Sequence, residues 1–271
     1  MKNFSNIITL SKNFRGVYEL DTSKGCYSGM INNKKGCYNE CYAFRSSKKW
    51  GFDFSKTILR NFIDEKHILE TVNKINKIDM PFIRIGVTGD PSENWEHTLK
   101  ICEKISKYIN KKIVIITKHW KILTMKQLIR IKKLGLCINT SISALDNKCQ
   151  IVNRLKQYNR LKKYCKSVLR IVSCKFNNRS KTGRKLNNIQ KILLKNKNII
   201  ETIFRVHRKN KYVEKNIIKI EKSKFLGKLC YISKNKKDIY FGKCKYCIEK
   251  CGVDQKFLNN SSTTKFQDTL F

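Results

Sequence analysis

Of the twelve cysteines in this 271-residue chain, seven fall into two clusters, and these are the groups best suited to bind metal or carry electrons. Cys26, Cys37 and Cys41 lie within "GCYSGMINNKKGCYNECYAF" (25–44), with ten residues and then three between successive thiols. Cys230, Cys244, Cys247 and Cys251 form the second cluster, separated by thirteen, two and three residues. The other five, Cys102, Cys137, Cys149, Cys165 and Cys174, stand singly in stretches of helix-like or strand-like pattern. A free cysteine in such a place behaves as a small buried hydrophobe.

Three chemistries are open to the first cluster. A structural zinc site takes four ligands, and no histidine precedes His67 to complete one locally. The zinc deaminases use three ligands, but their His-x-Glu and Pro-Cys-x-x-Cys signature is absent from the chain. An iron–sulfur cluster held by thiolates is the third. Gly25, Gly29 and Gly36 suit a loop that wraps closely around a bound object.

The elements that would position these residues follow a regular rhythm. Strand candidates fall at 16–20, 82–87, 112–117, 136–142, 168–173 and 201–206, with helical segments between them. In one helix Ile58, Leu59, Phe62, Leu69, Val72 and Ile75 are expected to share a face; in another, Ile151, Leu155, Tyr158, Leu161 and Cys165 do. Pro91-Ser92-Glu93 opens a third. Six β-α units predict a parallel sheet with crossover helices, either doubly wound or an incomplete (β/α)6 barrel. In both, function sits at the carboxyl ends of the strands. No dinucleotide fingerprint or P-loop follows any strand. The pattern changes after residue 210, so residues 1–210 are expected as the β/α domain and 211–271 as a small cysteine-rich extension. Within it, 229–242 reads as a hairpin, and the chain from about Asn259 as loosely ordered.

The formal net charge is +39, with 47 Lys and 12 Arg. Between Lys104 and Ile200 there are 26 basic residues and one acid, Asp146. Such a field attracts polyanions, nucleic acid foremost. Abundant Lys, Asn and Ile are also what AT-biased coding produces, and Arg, the residue for bidentate base contacts, is sparing. No apolar run reaches membrane-spanning length and the amino terminus lacks a signal-peptide core, so a cytoplasmic location is expected. In that reducing setting clustered cysteines point to metal or redox chemistry rather than disulfides.

The cysteine triad after the first strand, "VTGDP" (87–91) after the second, and "GCYNECYAF" together resemble the radical S-adenosylmethionine (SAM) superfamily, in particular its phage and mobile-element members. The resemblance spans about residues 15 to 207. The family's common spacing is Cys-x3-Cys-x2-Cys; here Phe44 stands three after Cys41, and Cys26 is taken as the third ligand. The resemblance implies a partial barrel in which Cys26, Cys37 and Cys41 hold a [4Fe-4S] cluster. SAM would chelate its open iron and be cleaved reductively to a 5′-deoxyadenosyl radical, with a flavodoxin or ferredoxin as electron donor. By the same resemblance Gly89 and Asp90 would meet the SAM amino group, with a helix-opening turn as the plainer role for Asp90. Ser141 and Ser143 would face the SAM ribose or carboxylate, and Lys118 its carboxylate or the substrate. Tyr38 and Tyr42 would pack on the adenine, with aromatic packing under the loop as their plainer role. Arg170, Arg205 and His207 are basic residues at strand positions that, pointing inward, would need an anionic partner.

The second cluster fits zinc or an auxiliary [4Fe-4S] cluster about equally, since its Cys-x2-Cys pair suits a zinc ribbon. The expected activity is therefore hydrogen abstraction from an unidentified substrate, with nucleic acid a candidate. The rival from another class is a non-catalytic, zinc-dependent nucleic-acid-binding protein. It explains the charge and the last four cysteines, but neither the triad nor "TGDP".

Overall fold

The computed structural model describes residues 6–13, 15–32, 35–49, 51–196, 198–204, 222–225, 228–231, 244–247 and 249–253. In chain order the strands are β1 (Leu10–Lys12), β2 (Tyr18–Leu20), β3 (Ser23–Lys24), β4 (Ile58–Leu59), β5 (Phe82–Ile85), β6 (Lys112–Thr117), β7 (Cys137–Ile142), β8 (Lys166–Ser173), β9 (Ile199–Ile203), β10 (Lys222–Phe225) and β11 (Lys228–Tyr231). The helices are α1 (Tyr27–Asn32), α2 (Tyr42–Lys49), α3 (Glu65–Asn76), α4 (Trp95–Ser106), α5 (Met125–Lys133), α6 (Lys148–Leu161) and α7 (Lys181–Leu194).

Seven strands form one sheet in the order β1-β2-β5-β6-β7-β8-β9. All neighbours pair in parallel except β1, which runs antiparallel to β2. The six parallel strands are the six expected from the β-branched runs, each within a few residues. Their spatial order follows chain order with no reversal, so the sheet has no topological switch point of the doubly wound kind.

Alternation along the strands sorts residues to two faces. Leu169 and Ile171 of β8 pack with Ile151 and Tyr158 of α6 and Leu193 of α7, so this face looks at the helices. On the opposite face the register aligns Glu19 with Arg84, Val114 with Cys137, and Ser141 with Arg170. That second face therefore carries Glu19, Arg84, Asn139, Ser141 and Arg170 among the apolar Val114, Cys137 and Val168.

The helices begin where their caps dictate. Asp64, Asn94, Thr124, Asn147 and Ser180 each accept a hydrogen bond from the third helical N–H, satisfying a donor that the first turn leaves orphaned. The Asp64 cap corrects one expectation. Ile58 and Leu59 precede it as β4, paired with Ser23–Lys24, and Phe62 also lies before the helix. Within α3, Val72 and Ile75 are buried while Leu69 is 42% exposed. The α6 expectation holds for Ile151, Tyr158 and Leu161, which are buried; Cys165 lies beyond the helix end.

β11 pairs with β10, so Leu229–Tyr231 has its partner upstream. The second arm expected for that hairpin, 238–242, lies outside the described residues, as do Arg205, His207 and the chain from Asn259. No helix among the described residues is long and apolar enough to cross a membrane.

Candidate functional site

The loop after β2 is fastened to the loop after β5 by backbone contacts that only glycine permits. Gly25 N–H donates to Thr88 O at 3.2 Å, and Gly25 and Gly89 form a parallel bridge. A Cβ on Gly89 would lie 2.7 Å from Ser23 O and 2.8 Å from Gly25 O, so no side chain fits there. Asp21, directly after β2, completes the joint. Its buried carboxylate accepts from the N–H groups of Gly86, Val87 and Thr88 at 3.0, 2.9 and 2.6 Å. Tyr42 adds a hydrogen bond from its hydroxyl to Val87 O. The cysteine loop and "VTGDP" are thus one unit at the carboxyl ends of the strands.

Within that unit the three thiols gather around two glycines. A Cβ on Gly29 would sit 2.8 Å from Cys26 Sγ and 3.8 Å from Cys37 Sγ; one on Gly36 would sit 3.4 Å from Cys41 Sγ. Cys26 and Cys41 also share an apolar cluster with Ala43, Phe54, Phe44 and Trp120. Among the described residues no three His, Cys, Asp or Glu side chains close on a single ion. Ligands of one zinc would stand about 3.8 Å apart, whereas thiolates on separate irons of a cluster stand farther apart. The three thiols thus lie around the Gly29 and Gly36 segments without closing on one point.

Desolvation pushes the Cys37 thiol up to about 11, partly opposed by the Lys118 ammonium. It pushes Cys26 much higher, with the carboxylates of Asp90 and Glu93 adding to the effect, and raises Cys41 as well. These thiols hold their protons near neutrality unless a cation displaces them.

Two carboxylates missed by the sequence reading hold the loop in place. Glu93 Oε1 accepts from Ser28 N–H at 2.8 Å and lies 3.4 Å from Cys26 Sγ, while Oε2 accepts from Ser28 Oγ. Asp146 forms an ion pair with Arg154 at 2.5 Å and another with Lys118 at 3.6 Å. Lys118 Nζ bonds Tyr38 Oη and lies 4.2 Å from that ring's centre, next to Cys37. Arg154 is 2% exposed, donates to Lys118 O at 2.7 Å and stacks over Trp120. Desolvation works against the Asp146 anion, but the two cations win and hold its carboxyl below the usual range. Signals for these residues were present. Asp146 is the lone acid of a basic stretch, and Arg154 occupies a core position of α6, three after Ile151 and four before Tyr158.

The other sequence candidates have definite places. Asp90 caps the turn 91–94; Oδ1 accepts from Ser92 N, Ser92 Oγ and Thr117 Oγ1, and Oδ2 from Lys118 N–H at 2.8 Å. It joins the ends of β5 and β6. Ser143 is fully buried and its hydroxyl accepts from Leu145 N–H within a turn that Asp146 closes. Ser141 is buried beside Arg170 on the second face of the sheet. Tyr42 is 44% exposed.

Arg170 reaches away from the first cluster. Its Nη2 lies 3.4 Å from Cys251 Sγ and 3.5 Å from Asn139 Oδ1. The segment around Cys251 rests on the same face, near the amino ends of β7 and β8. Asn139 donates to Cys251 O at 3.0 Å and Lys166 to Val253 O at 3.2 Å. A Cβ on Gly252 would lie 2.3 Å from Val168 Cγ2. Cys244 and Cys251 are buried there, Cys247 partly so, and burial raises the Cys244 and Cys247 thiols. The side chain of Cys230 lies outside the described residues. The structure therefore brings Cys26, Cys37 and Cys41 together at one end and Cys244, Cys247 and Cys251 near the other.

No protein-family description, curated protein or solved structure matches the chain.

Proposed function

We propose that the protein is a radical SAM enzyme whose sheet forms the wall of an incomplete (β/α)6 barrel. The strictly sequential order of six parallel strands supports the barrel reading. The observation that carries the functional reading is the Gly25–Gly89 bridge, which unites the cysteine loop with "TGDP" at the carboxyl ends of the strands. When bound, the [4Fe-4S] cluster and SAM would supply one-electron chemistry and a hydrogen-abstracting 5′-deoxyadenosyl radical.

The chain's own residues hold that chemistry. Cys26, Cys37 and Cys41 would be the thiolate ligands. Glu93 and Asp21 fix the loop bearing Cys26, and Asp90 sets the end of β5 against β6. Lys118 and Arg154, with Asp146 neutralising one of their two charges, leave net positive charge beside Cys37 to offset an anionic thiolate group. Phe54 and Trp120 pack against the loop beside Cys26 and Cys41.

The test is anaerobic reconstitution with iron and sulfide, followed by dithionite and SAM. The reading expects a brown protein that forms 5′-deoxyadenosine. Reconstituted protein that binds neither iron nor SAM would refute it.

A further inference from the structure

We infer that the loop after β8 and the outward face of α7 form a binding site for the phosphodiester backbone of a nucleic acid. The inference relies on the radical SAM reading only for calling this strand a substrate.

A cavity of about 460 Å³ opens where β8 ends, lined by Lys175, Arg184 and Lys191 with Asn178, Asn188 and Cys174. Its walls are built rather than loose. The buried Gln190 clamps Cys174, accepting from its N–H at 3.0 Å and donating to its carbonyl at 2.8 Å. Asn187 donates to Phe176 O at 3.0 Å, and Arg184 to Asn178 O at 3.2 Å. Gly183 lets α7 press on the loop, since a Cβ there would lie 1.8 Å from Asn177 O. Three cations and several amides thus line a concavity of fixed shape, the donor set that phosphate oxygens require.

Its position suits a substrate. Cys174 and Phe176 belong to a small apolar cluster with Ala144 and Phe204, against which Tyr38 packs. Tyr38 is the neighbour of Cys37, so one packed layer joins the cavity floor to the cysteine loop.

Regional charge argues against coding bias as the whole explanation. Residues 147–200 contain 16 Lys or Arg and no acid, whereas 64–103 contain five Lys or Arg and eight acids. A bias acting on the whole gene would not confine its loss of acids to one flank. A membrane surface fits less well than a nucleic acid. None of the exposed large apolar side chains among the described residues lies between 130 and 204, and an interfacial helix needs such anchors.

The experiment measures fluorescence anisotropy of labelled single-stranded DNA, single-stranded RNA and duplex DNA with the full chain, from about 50 to 200 mM salt. Lys175→Gln/Arg184→Gln/Lys191→Gln should weaken binding about tenfold and flatten the log–log salt slope by about 2. Lys66→Gln/Lys74→Gln/Lys100→Gln, on α3 and α4, removes equal charge and should change binding less than about twofold. Lys175→Gln/Lys191→Gln keeps the Arg184 loop contacts and should show an intermediate loss. The DNA, RNA and duplex arms identify the preferred strand. Equal losses in the two triple variants would overturn the site, as would tighter binding to phosphatidylserine vesicles than to every oligonucleotide. Binding is read without SAM, so its failure leaves the cleavage assay standing, and loss of cleavage leaves this result standing.

Discussion

The two cysteine groups lie toward opposite ends of one sheet and are held by different means. Ten residues separate Cys26 from Cys37 and three separate Cys37 from Cys41, and the loop bearing them is held by glycine contacts and by the carboxylates of Glu93 and Asp21. Cys244, Cys247 and Cys251 have two and three residues between them, and their segment rests on side chains of β7 and β8, through Asn139, Arg170 and Lys166. Spacing alone therefore does not say which group lies at the carboxyl ends of the strands. The first group lies at the carboxyl ends of the strands, the second toward the amino ends of β7 and β8.

The comparison is broken most sharply by removing one thiol from each group. Cys37→Ala should reduce SAM cleavage to background, whereas Cys247→Ala should leave cleavage measurable and remove metal from the carboxy-terminal segment alone. Loss of both metal groups in either variant would show that the two are not independent.

Next in size is the charge network beside the first group. Asp146→Asn leaves Arg154 buried without its anion, a change that costs about 3–5 kcal/mol. Urea unfolding should show that loss, and Asp146→Glu should recover part of it.

The glycine joints come third. Gly89→Ala forces a Cβ against two backbone carbonyls and should cost about 1–3 kcal/mol while depleting iron from the first group. Gly252→Ala meets Val168 at a backbone φ of +83° and should cost a similar amount, leaving the first group loaded. Iron analysis after mild reconstitution separates the two.

A further effect is in pH dependence. His119 is buried, and desolvation followed by the nearby Arg154 charge pulls its pKa down to about 3 from an ordinary 6.5. The unfolded chain takes up this proton first. The imidazole's contribution is thus intact above about pH 6.5 and lost progressively as pH falls toward 3. His119→Gln should therefore unfold with a shallower pH dependence between 7 and 4.

The six parallel strands were legible because β-branched runs declare themselves. Ile58 and Leu59 were misread because their spacing to Phe62 imitates a helix face, whereas the Asp64 cap fixes the start later. The convergence of Cys26 with Cys37 was readable only through a resemblance, since a ten-residue gap does not dictate closure. The roles of Asp21 and Glu93 depend on contacts 65 to 67 positions away in the chain, which no local pattern encodes.

The most direct test of the central claim is the iron and acid-labile sulfide content of anaerobically reconstituted Cys26→Ala, Cys37→Ala and Cys41→Ala, each compared with the parent protein. If the three thiols hold one cluster, every single variant should lose the same complement, about four irons and four sulfides. Full iron and sulfide in the Cys26→Ala protein would contradict it.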